Sequence, residues 1–336
     1  MNRLASVIIV SYDHGSYLEN CIESINCQEY PHEIILVNNY CKEDLEGLLL
    51  DKYPNIKIIN NSSNNGYGAG NNIGINYAHG DFIVILNPDT LVGKNWLAEL
   101  LTPLERMNHV ITTPKILSYD AKFINTCGIL THFSGLAFTR GLGADTNSYP
   151  NEEEVGGISG CCFAMKKRDF LDIGSFDECF FLYMEDTEFS WRAHLRGFRL
   201  LYIPASIVRH DYSLHVSPEK IYNLEFGRYI LIRKIMTFRD ILLITPSLLI
   251  VELLVFGYAL KLGRKAIIYK LKAMKDGLTT NIVRIEGDRR NLFNSIDANI
   301  PPDQLSTNLF EIFIKIIINN IFRLNFKIFR WFYWEK

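Results

Sequence analysis

The stretch Phe82-Ile83-Val84-Ile85-Leu86-Asn87-Pro88-Asp89-Thr90 joins a run of five apolar residues directly to a polar turn. An unbroken apolar run of this length is typical of a strand that is covered on both faces, as in a parallel sheet built from βαβ units. Sheets of this kind bind their ligands at the carboxyl ends of their strands. We therefore expect the polar residues after Leu86 to face a binding site.

Similar apolar runs lie on both sides of this stretch, and helical patterns separate them. The predicted strands are residues 6–10, 34–37, 56–59, 158–165, 200–203 and 206–208. Apolar side chains at helical spacing predict helices over residues 17–25, 44–50, 72–78 and 185–195. Residues 117–157 are less regular and are expected to form a loop region. This order predicts an α/β domain with a mixed, mostly parallel sheet that is flanked by helices.

The composition suits a folded protein in a reducing compartment. The chain has 336 residues, 48% of them hydrophobic, which is enough for one large α/β domain or for two domains. Its seven cysteines form no C-x-x-C pair and no zinc-like cluster, as expected of free thiols. The formal net charge is -2, so the chain has no overall positive charge with which to bind the phosphates of a nucleic acid, and we expect no nucleic-acid partner.

The amino terminus is predicted to be a buried strand and not a signal peptide. Its apolar run at residues 7–10 is too short for a signal-peptide core, and polar residues follow it at 13–15. We therefore expect the catalytic part of the chain to lie in the cytoplasm.

Asn87 and Asp89 are candidates for binding a metal and a phosphate group. Mg²⁺ and Mn²⁺ prefer oxygen ligands and share them with substrate phosphates, so a carboxylate at a strand end is well placed to hold such an ion. His210 follows another predicted strand and is a second candidate ligand. Each observation has a simpler alternative, because Asn-Pro-Asp is common turn chemistry and a lone histidine is more often structural.

A glycine-rich segment, Asn64-Asn65-Gly66-Tyr67-Gly68-Ala69-Gly70-Asn71-Asn72, precedes a predicted helix. Glycines allow a backbone to approach a ligand closely, and the amino terminus of a helix attracts negative charge. The glycines fall at every second position, so the spacing is not that of a dinucleotide-binding motif. A flexible loop with a helix cap is the alternative explanation.

Glu185, Asp186 and Glu188 place three carboxylates in the first turn of a predicted helix. Favourable charge at the positive end of the helix dipole accounts for one or two of them. An aromatic and apolar run at residues 181–184 leads directly into these acids, and a carboxylate against apolar surface is the arrangement that tunes a general base. The three acids at the start of this helix therefore have two explanations, stabilisation of the helix dipole and general-base catalysis.

Taken in order, these motifs resemble one family of enzymes. The chain is similar to inverting glycosyltransferases of family 2, which have the GT-A fold, and especially to the rhamnosyltransferase-like members. The resemblance covers about the first 235 residues and, more loosely, the tail. The matching residues are Val7-Ile8-Ile9-Val10-Ser11-Tyr12, Leu36-Val37-Asn38-Asn39, Asn65-Gly66-Tyr67, Gly70-Asn71-Asn72 with Gly74, Leu86-Asn87-Pro88-Asp89-Thr90, Gly174 through Trp191-Arg192, Gly197-Phe198-Arg199, and Pro204 with His210.

The resemblance implies roles on the donor side of the site. The residues expected to line the nucleotide base and ribose are Ser11, Asp13 and Asn38. Those expected to approach the ribose and diphosphate are Asn65, Gly66 and Asn71. Asn87 and Asp89 stand where the family has its Asp-x-Asp metal motif, so Asp89 would be a direct ligand of Mg²⁺ or Mn²⁺ and His210 a further ligand.

The resemblance also implies the reaction. Asp186 would deprotonate the acceptor hydroxyl, Glu185 and Glu188 would orient acceptor or metal-bound water, and Trp191 and Arg192 would support the site. The expected partners are a nucleotide-diphosphate sugar donor, with rhamnose as one candidate sugar, and a glycan or lipid-linked acceptor. One displacement would invert the anomeric centre during cell-surface polysaccharide synthesis.

Two positions depart from the family pattern. The family usually has Asp where this chain has Asn38, and often Asn where it has Asp13. The strands that precede them are expected to be neighbours. One explanation is a reciprocal exchange that keeps one carboxylate and one amide at the nucleotide base, and the alternative is two independent surface changes.

The composition changes after about residue 235. Residues 241–260 are almost wholly apolar, with basic residues at both ends, and residues 312–334 mix apolar, aromatic and basic side chains. These features predict a catalytic domain at 1–235 and a helical region at 236–336 that attaches peripherally or monotopically to the cytoplasmic face of a membrane. Core helices that pack on the catalytic domain are the alternative. The sequence leaves association into an oligomer open.

Three other classes of protein compete with this interpretation. A catalytically silent, glycosyltransferase-like membrane scaffold remains the alternative function, although Asp89, Asp186 and His210 together argue against it. A nicotinamide-dependent oxidoreductase would carry G-x-G-x-x-G after the first strand, where this chain has residues 11–15. A processive polysaccharide synthase typically carries Gln-x-x-Arg-Trp and several membrane spans, and neither is evident in the sequence.

Overall fold

The computed structural model describes residues 4–13, 15–212, 216–301 and 309–334. Contacts divide the chain into two units. The first comprises Met1–Ile129, Thr139–Ala193 and Gly197–Ser213, and the second comprises Leu130–Phe138, His194–Arg196 and Leu214–Lys336. The last segment of the second unit begins at Leu214 and includes a helix that ends at Ile235 and packs with the later helices. The boundary between a catalytic domain and a membrane-associated region at residues 235 and 236 stays a prediction.

The strands of the described residues are named in chain order. They are β1 (Ala5–Ser11), β2 (His32–Asn38), β3 (Lys57–Asn60), β4 (Phe82–Leu86), β5 (Thr90–Val92), β6 (Val110–Ser118), β7 (Ile124–Thr126), β8 (Ile129–Thr131), β9 (Ala137–Thr139), β10 (Glu153–Glu154), β11 (Cys162–Lys166) and β12 (Arg199–His210). Five of them therefore lie, wholly or in part, in the region 117–157 that was expected to be a loop.

The helices of the described residues follow the same order. They are α1 (Gly15–Asn26), α2 (Leu45–Leu49), α3 (Tyr67–Asn76), α4 (Trp96–Arg106), α5 (Lys167–Ile173), α6 (Glu185–Leu195), α7 (Pro218–Ile235), α8 (Phe238–Leu262), α9 (Arg264–Thr279), α10 (Arg289–Ser295) and α11 (Leu309–Trp334). The bounds of α6 are those predicted from the sequence.

One mixed sheet forms the centre of the first unit. Within the described residues its strand order is β10-β12-β6-β11-β4-β1-β2-β3, with β5 beside β12 and β7 beside β6. Strands β1 to β4 run parallel to their neighbours within this group, and β11 is antiparallel to both β4 and β6. Because β12 is parallel to β6, the carboxyl ends of β1, β2, β4 and β12 lie at the same edge of the sheet.

The apolar runs are buried because the sheet is covered on both faces. In β1, Val7 and Ile9 belong to one buried cluster with α1 and α4, whereas Ile8 belongs to another with α3 and α6. Alternate side chains of a strand point to opposite faces, so a two-sided core requires an unbroken apolar run. The predicted α/β architecture is confirmed.

Helix α3 begins at Tyr67, five residues before the predicted start at 72. The glycine-rich segment predicts a turn, but Gly68 and Gly70 lie inside the helix. A Cβ atom on Gly70 would lie 2.7 Å from Val10, and one on Gly74 would lie 2.5 Å from Ile8. These glycines therefore allow the helix to pack closely on β1, and this tertiary contact offsets their low helix propensity.

Two strand predictions also differ from the structure. Strand β11 begins at Cys162 instead of residue 158, because a turn closes from Ser159 to Cys162 with a 3.1 Å backbone hydrogen bond. The two short strands predicted at 200–203 and 206–208 are one strand, β12, whose register shifts between Ile203 and Ile207. A bulge interrupts pairing without ending the strand.

In the second unit, opposite charges connect α7, α8 and α9. Arg228 of α7, which is buried, pairs with Glu225 at 2.8 Å and also contacts Glu252 of α8. Lys270 of α9 contacts Glu225 and lies 2.7 Å from Glu252. Glu252, which interrupts the apolar run at 241–260, is thus neutralised by two cations, and α8 continues unbroken past Pro246. By length and composition α8 is capable of crossing a membrane.

Candidate active site

Asp89 and His210 meet at the carboxyl edge of the sheet. Asp89 lies in the turn between β4 and β5, and His210 is the last residue of β12, which pairs with β5. The Oδ1 atom of Asp89 is 3.4 Å from Nε2 of His210. The Nδ2 atom of Asn87 lies 3.3 Å from the same ring nitrogen. The structure therefore brings together three residues that lie on two distant segments of the sequence.

Asn125 determines which nitrogen of His210 carries the proton. Oδ1 of Asn125 is 3.1 Å from Nδ1 of His210. Because an amide oxygen only accepts, Nδ1 is the protonated donor and Nε2 presents its lone pair toward Asp89. This is how a second residue commonly orients a histidine ligand of a metal. Asn125 was not among the predicted site residues, because it lies in β7 with no recognisable motif.

The acid–histidine pair fits a divalent metal that is shared with a substrate. Among the residues that the structure describes, no group of three or more His, Cys, Asp or Glu side chains could hold a metal by itself. Mg²⁺ and Mn²⁺ are often held by one or two protein ligands, with water and substrate phosphates completing the coordination. Asp89 and Nε2 of His210 are suitable ligands of this kind.

Asn39 holds the segment that leads into α3. Its Nδ2 donates to Oδ1 of Asn64 at 2.9 Å and to the carbonyl of Gly66 at 3.2 Å. Its Oδ1 accepts from Nδ2 of Asn61 at 3.0 Å and from the backbone of Asn65 at 3.3 Å. One buried amide side chain therefore shapes the turn that presents Asn65 and Gly66, a role that was not predicted.

Gly66 precedes α3 in a conformation that favours glycine. Its φ of 88° lies in the left-handed region, and a Cβ atom there would be 2.3 Å from the carbonyl oxygen of Phe181. The next residue, Tyr67, donates its N–H to that carbonyl at 2.8 Å. The predicted donor-binding turn thus packs directly on the chain that leads into α6.

Ser11, Asp13 and Asn38 lie at the ends of neighbouring strands, as expected. Ser11 is opposite Asn38 in the parallel register of β1 and β2. The side chain of Asn38 donates to Asn60 at 2.9 Å and accepts the N–H of Cys41. Asp13 is exposed, and its Oδ1 lies 3.4 Å from the N–H of Lys42. Both side chains therefore contact the turn after β2, and the reciprocal exchange remains a prediction.

Asp186 accepts hydrogen bonds from two backbone amides. Its Oδ2 receives the N–H of Gly160 at 2.9 Å, and its Oδ1 receives the N–H of Thr187 at 2.6 Å. Burial raises the pKa of Asp186 despite these donors. The preceding residues Tyr183 and Met184 have φ values of 68° and 71°. Such strained backbone in non-glycine residues is concentrated at functional sites.

Glu185 is nearly inaccessible to solvent and adjoins Asp186. Burial first, and then the Asp186 carboxylate, raise the pKa of Glu185 to about 8. Its Oε2 is buried and has no hydrogen-bond partner among the described residues. The same is true of Oδ1 in Asn71 and in Asn87. Buried polar atoms of this kind require hydrogen-bond partners, which the hydroxyl groups of a sugar are able to supply.

Glu188 and Arg192 form an ion pair inside the domain. The Nε of Arg192 is 2.9 Å from Oε2 of Glu188, whose side chain is 0% exposed. The guanidinium group also donates to three backbone carbonyls at the end of α5, and Trp191 is fully buried next to Arg192 in the chain. The ion pair gives Glu188 a role in holding α6 to α5. Its role in orienting water stays a prediction.

A turn at Gly160 and Cys161 connects the parts of the site. The N–H of Gly160 donates to Asp186, and its carbonyl accepts the hydroxyl of Tyr67 at 2.5 Å. The carbonyl of Cys161 accepts the N–H of Asn87 at 2.9 Å. This turn therefore links the metal motif, α3 and α6. Its role was not predicted, because the local apolar pattern indicates a strand at these residues.

Known proteins resemble the chain over more than half of its length. A low-salt glycan biosynthesis hexosyltransferase from Haloferax volcanii is 30% identical over 196 residues, which are 56% of this chain and 61% of that protein. An N-acetylglucosaminyl-diphospho-decaprenol L-rhamnosyltransferase from Mycobacterium tuberculosis is 25% identical over 235 residues, 62% of this chain and 76% of that protein. The chain thus spans about three fifths of the length of the first relative.

A solved structure shows the fold of the chain, and a family model shows its family. The crystal structure of GalNAc-T7 with UDP, GalNAc and Mn²⁺ superimposes with a TM-score of 0.57 at 20% identity, covering 69% of this chain and 48% of that one. This likeness confirms the predicted GT-A fold. The model of glycosyl transferase family 2 matches residues 6–174, half of the chain and most of the first unit. The chain belongs to glycosyl transferase family 2.

Proposed function

We propose that the chain moves a sugar from a nucleotide-diphosphate donor to a hydroxyl group of a glycan or lipid-linked acceptor, with inversion at the anomeric carbon. One observation carries this proposal. The Gly160–Cys161 turn bonds to Asp186 on one side and to Asn87 on the other, so a candidate base and the candidate metal motif adjoin the same turn. The shared turn supports the proposal because a single displacement needs the base and the leaving group close to the same carbon.

Asp89 and His210 would hold a divalent metal, Mg²⁺ or Mn²⁺, against the donor diphosphate. When bound, such an ion would neutralise charge that develops on the leaving diphosphate. The amino terminus of α3, which begins after Gly66, supplies further positive potential and backbone amides. The crystallised neighbour contains UDP and Mn²⁺, which supports the use of a divalent metal with a nucleotide donor.

Asp186 would accept the proton of the acceptor hydroxyl as that oxygen attacks. Its raised pKa makes it a stronger base than an ordinary aspartate, while two backbone amides keep the carboxylate oriented. A single displacement inverts the anomeric centre, so no enzyme residue needs to act as a nucleophile. Glu185, with its buried oxygen, would bind a hydroxyl group of a sugar.

The relatives favour a hexose or rhamnose donor in cell-surface polysaccharide synthesis. One relative is named as an L-rhamnosyltransferase of a diphospho-decaprenol, and another as a hexosyltransferase of glycan biosynthesis. We therefore infer that rhamnose is a candidate donor sugar and a lipid-linked diphosphate a candidate acceptor. Residues 1–235 would carry out the reaction, and residues 236–336 would associate with the membrane.

Membrane attachment, which we place on the cytoplasmic face, would use apolar surface in the second unit. One side of α8 exposes Leu242, Leu249, Leu253 and Leu260. These positions recur at spacings of four and seven residues, so they form a single stripe. Glu252 is held by Arg228 and Lys270, which favours a helix lying in the interface over one that crosses the bilayer.

Replacement of Asp186 by Asn tests the reaction. Asp186→Asn should lower the turnover number by about 10²–10⁴-fold, because an amide of the same shape cannot accept the proton. Calorimetry should find donor affinity in the presence of Mn²⁺ unchanged. Asp51→Asn, which replaces an exposed acid of the first unit, is the matched control.

The outcomes separate the two candidate functions. Substantial turnover by the Asp186→Asn enzyme would refute the assignment of the base. If the unchanged protein neither transfers nor hydrolyses any of a panel of nucleotide sugars that it binds, the catalytically silent scaffold becomes the better description.

A further inference from the structure

Tyr67 connects the donor-binding turn to the residue that we assign as the base. Its N–H donates to the carbonyl of Phe181 at 2.8 Å, which holds the chain five residues before Asp186. Its hydroxyl donates to the carbonyl of Gly160 at 2.5 Å. One residue at the start of α3 therefore contacts both backbone segments on which the position of Asp186 depends.

Gly160 transmits this contact to the carboxylate. The N–H of Gly160 donates to Oδ2 of Asp186 at 2.9 Å. A Cβ atom on Gly160 would lie 3.1 Å from the same oxygen, so the carboxylate rests against bare backbone. Gly160 has no side chain of its own to hold it, and the hydroxyl of Tyr67 restrains this residue on its carbonyl side.

We propose that Tyr67 is a positioning residue for Asp186, acting through Gly160, and that it couples the donor-binding turn to the base. The inference rests on the proposed function, in which Asp186 removes the acceptor proton. Tyr67 directly follows Asn65 and Gly66. A sugar donor held by these two residues would therefore lie next in the chain to the residue that bonds to Gly160. Without the hydroxyl, the turn at Gly160 loses a restraint and Asp186 loses its fixed orientation toward the acceptor.

The hydroxyl of Tyr67 remains a donor across the working pH range. Burial first, and then the charges of Glu185 and Cys161, raise the pKa of Tyr67 well above its ordinary value. A tyrosine in this setting stays protonated and does not compete with Asp186 for the acceptor proton. Its contribution is therefore geometric, and removal of the oxygen alone is sufficient to test it.

Tyr67→Phe is the test, and Tyr202→Phe is the matched control. Tyr202 is fully buried in β12, and its hydroxyl donates to the carbonyl of Tyr149 at 3.0 Å, a bond of the same kind elsewhere in the unit. We expect Tyr67→Phe to lower the turnover number on the order of 10-fold, because small misplacements of a catalytic group are costly. Donor affinity and melting temperature should match those of Tyr202→Phe, whose turnover number should be unchanged.

A double-mutant cycle distinguishes positioning from general destabilisation. In the Asp186→Asn background, Tyr67→Phe should cause no further loss of residual turnover, because its effect requires the carboxylate. Two outcomes would overturn this inference and leave the proposed function intact. In the first, Tyr67→Phe lowers turnover equally in both backgrounds. In the second, Asp186→Asn is inactive but the Tyr67→Phe enzyme is as fast as Tyr202→Phe. Substantial turnover by Asp186→Asn would overturn the assigned base and this inference with it.

Discussion

At the scale of single residues, Glu185 connects the candidate active site to the stability of the protein. Its pKa is raised from an ordinary value of 4.5 to about 8 by burial and by Asp186. Between these values the folded protein keeps a proton that the unfolded chain releases. The free energy of unfolding should therefore fall as pH rises from about 4.5 to about 8, and Asp186 acts in the same direction.

Glu185→Gln should remove much of this pH dependence, because glutamine does not ionise. We expect the urea midpoint of the variant to exceed that of the unchanged protein above the raised pKa of Glu185, and to differ little from it near the ordinary value. Glu29→Gln, which replaces an exposed acid after α1, provides the control. An equal shift at both ends of this pH range would mean that packing, and not ionisation, determines the difference.

At the scale of elements, α3 depends on its glycines. Gly70 and Gly74 allow the helix to approach β1, and Gly66 allows the turn before the helix to approach Phe181. The contacts of Gly70 and Gly74 with β1 are part of the core packing, whereas the contact of Gly66 with Phe181 joins two segments of the candidate site. Glycine residues within one motif therefore contribute separately to packing and to the shape of the site.

Gly66→Ala should reduce both stability and donor affinity. At a φ of 88° an alanine is strained, and its Cβ would also be 2.3 Å from the Phe181 carbonyl. Gly143→Ala is the matched control, because Gly143 has a φ of 76° and nothing within 4 Å of the added carbon. Strain alone should cost about 1–3 kcal/mol in both variants.

The additional clash should make Gly66→Ala the less stable of the two variants in urea unfolding. Donor affinity, measured by calorimetry, should fall in Gly66→Ala and stay unchanged in Gly143→Ala. Equal losses of stability in the two variants would show that Phe181 moves aside freely, and the coupling between this turn and α6 would then be weak.

At the scale of the whole molecule, the second unit exposes apolar surface on two long helices. The stripe on α8 is matched on α11 by Phe313, Ile317, Leu324 and Ile328, which recur at helical spacing on one face. The exposed basic residues Arg323 and Lys327 adjoin that face. Apolar surface of this extent on a folded unit marks an interaction site, and adjacent basic residues suit anionic headgroups.

The doubly substituted chain Leu249→Glu/Leu253→Glu should bind less well to vesicles that contain anionic phospholipid. Two leucines that enter the interface contribute about 1.5 kcal/mol or more each, so the partition coefficient should fall at least about 100-fold. Leu48→Glu/Leu171→Glu, at two exposed leucines of the first unit, provides the control. Cosedimentation that is equal for the two variants would refute attachment through α8.

Local patterns predicted most elements of the first unit. The first four strands and helix α6 lie where the apolar runs and helical spacing indicated. The errors share a cause. The start of α3, the turn before β11 and the joined strand β12 all depend on contacts with distant segments, and an isolated window of sequence does not contain those contacts.

The sequence by itself determined the order of these strands and helices, because hydrophobic periodicity and turn chemistry are local properties of a chain. Its motifs also made Asp89, His210 and the three acids of α6 candidates, and the family resemblance singled out Asp186 among those acids. The apolar runs require a sheet that is covered on both faces, and the polar residues after them then lie at its carboxyl edge.

Only the tertiary structure decided which side chains meet. Asn125 reaches His210 across 85 residues, and Tyr67 reaches Gly160 across 93, because such contacts depend on the register of strands and the packing of helices. The same packing gave neighbouring acids of α6 different partners, since residues of a helix that are two positions apart point in different directions. Glu188 therefore pairs with Arg192 in the interior. Asp186 instead accepts a hydrogen bond from the backbone N–H of Gly160, in the turn that links the parts of the candidate site.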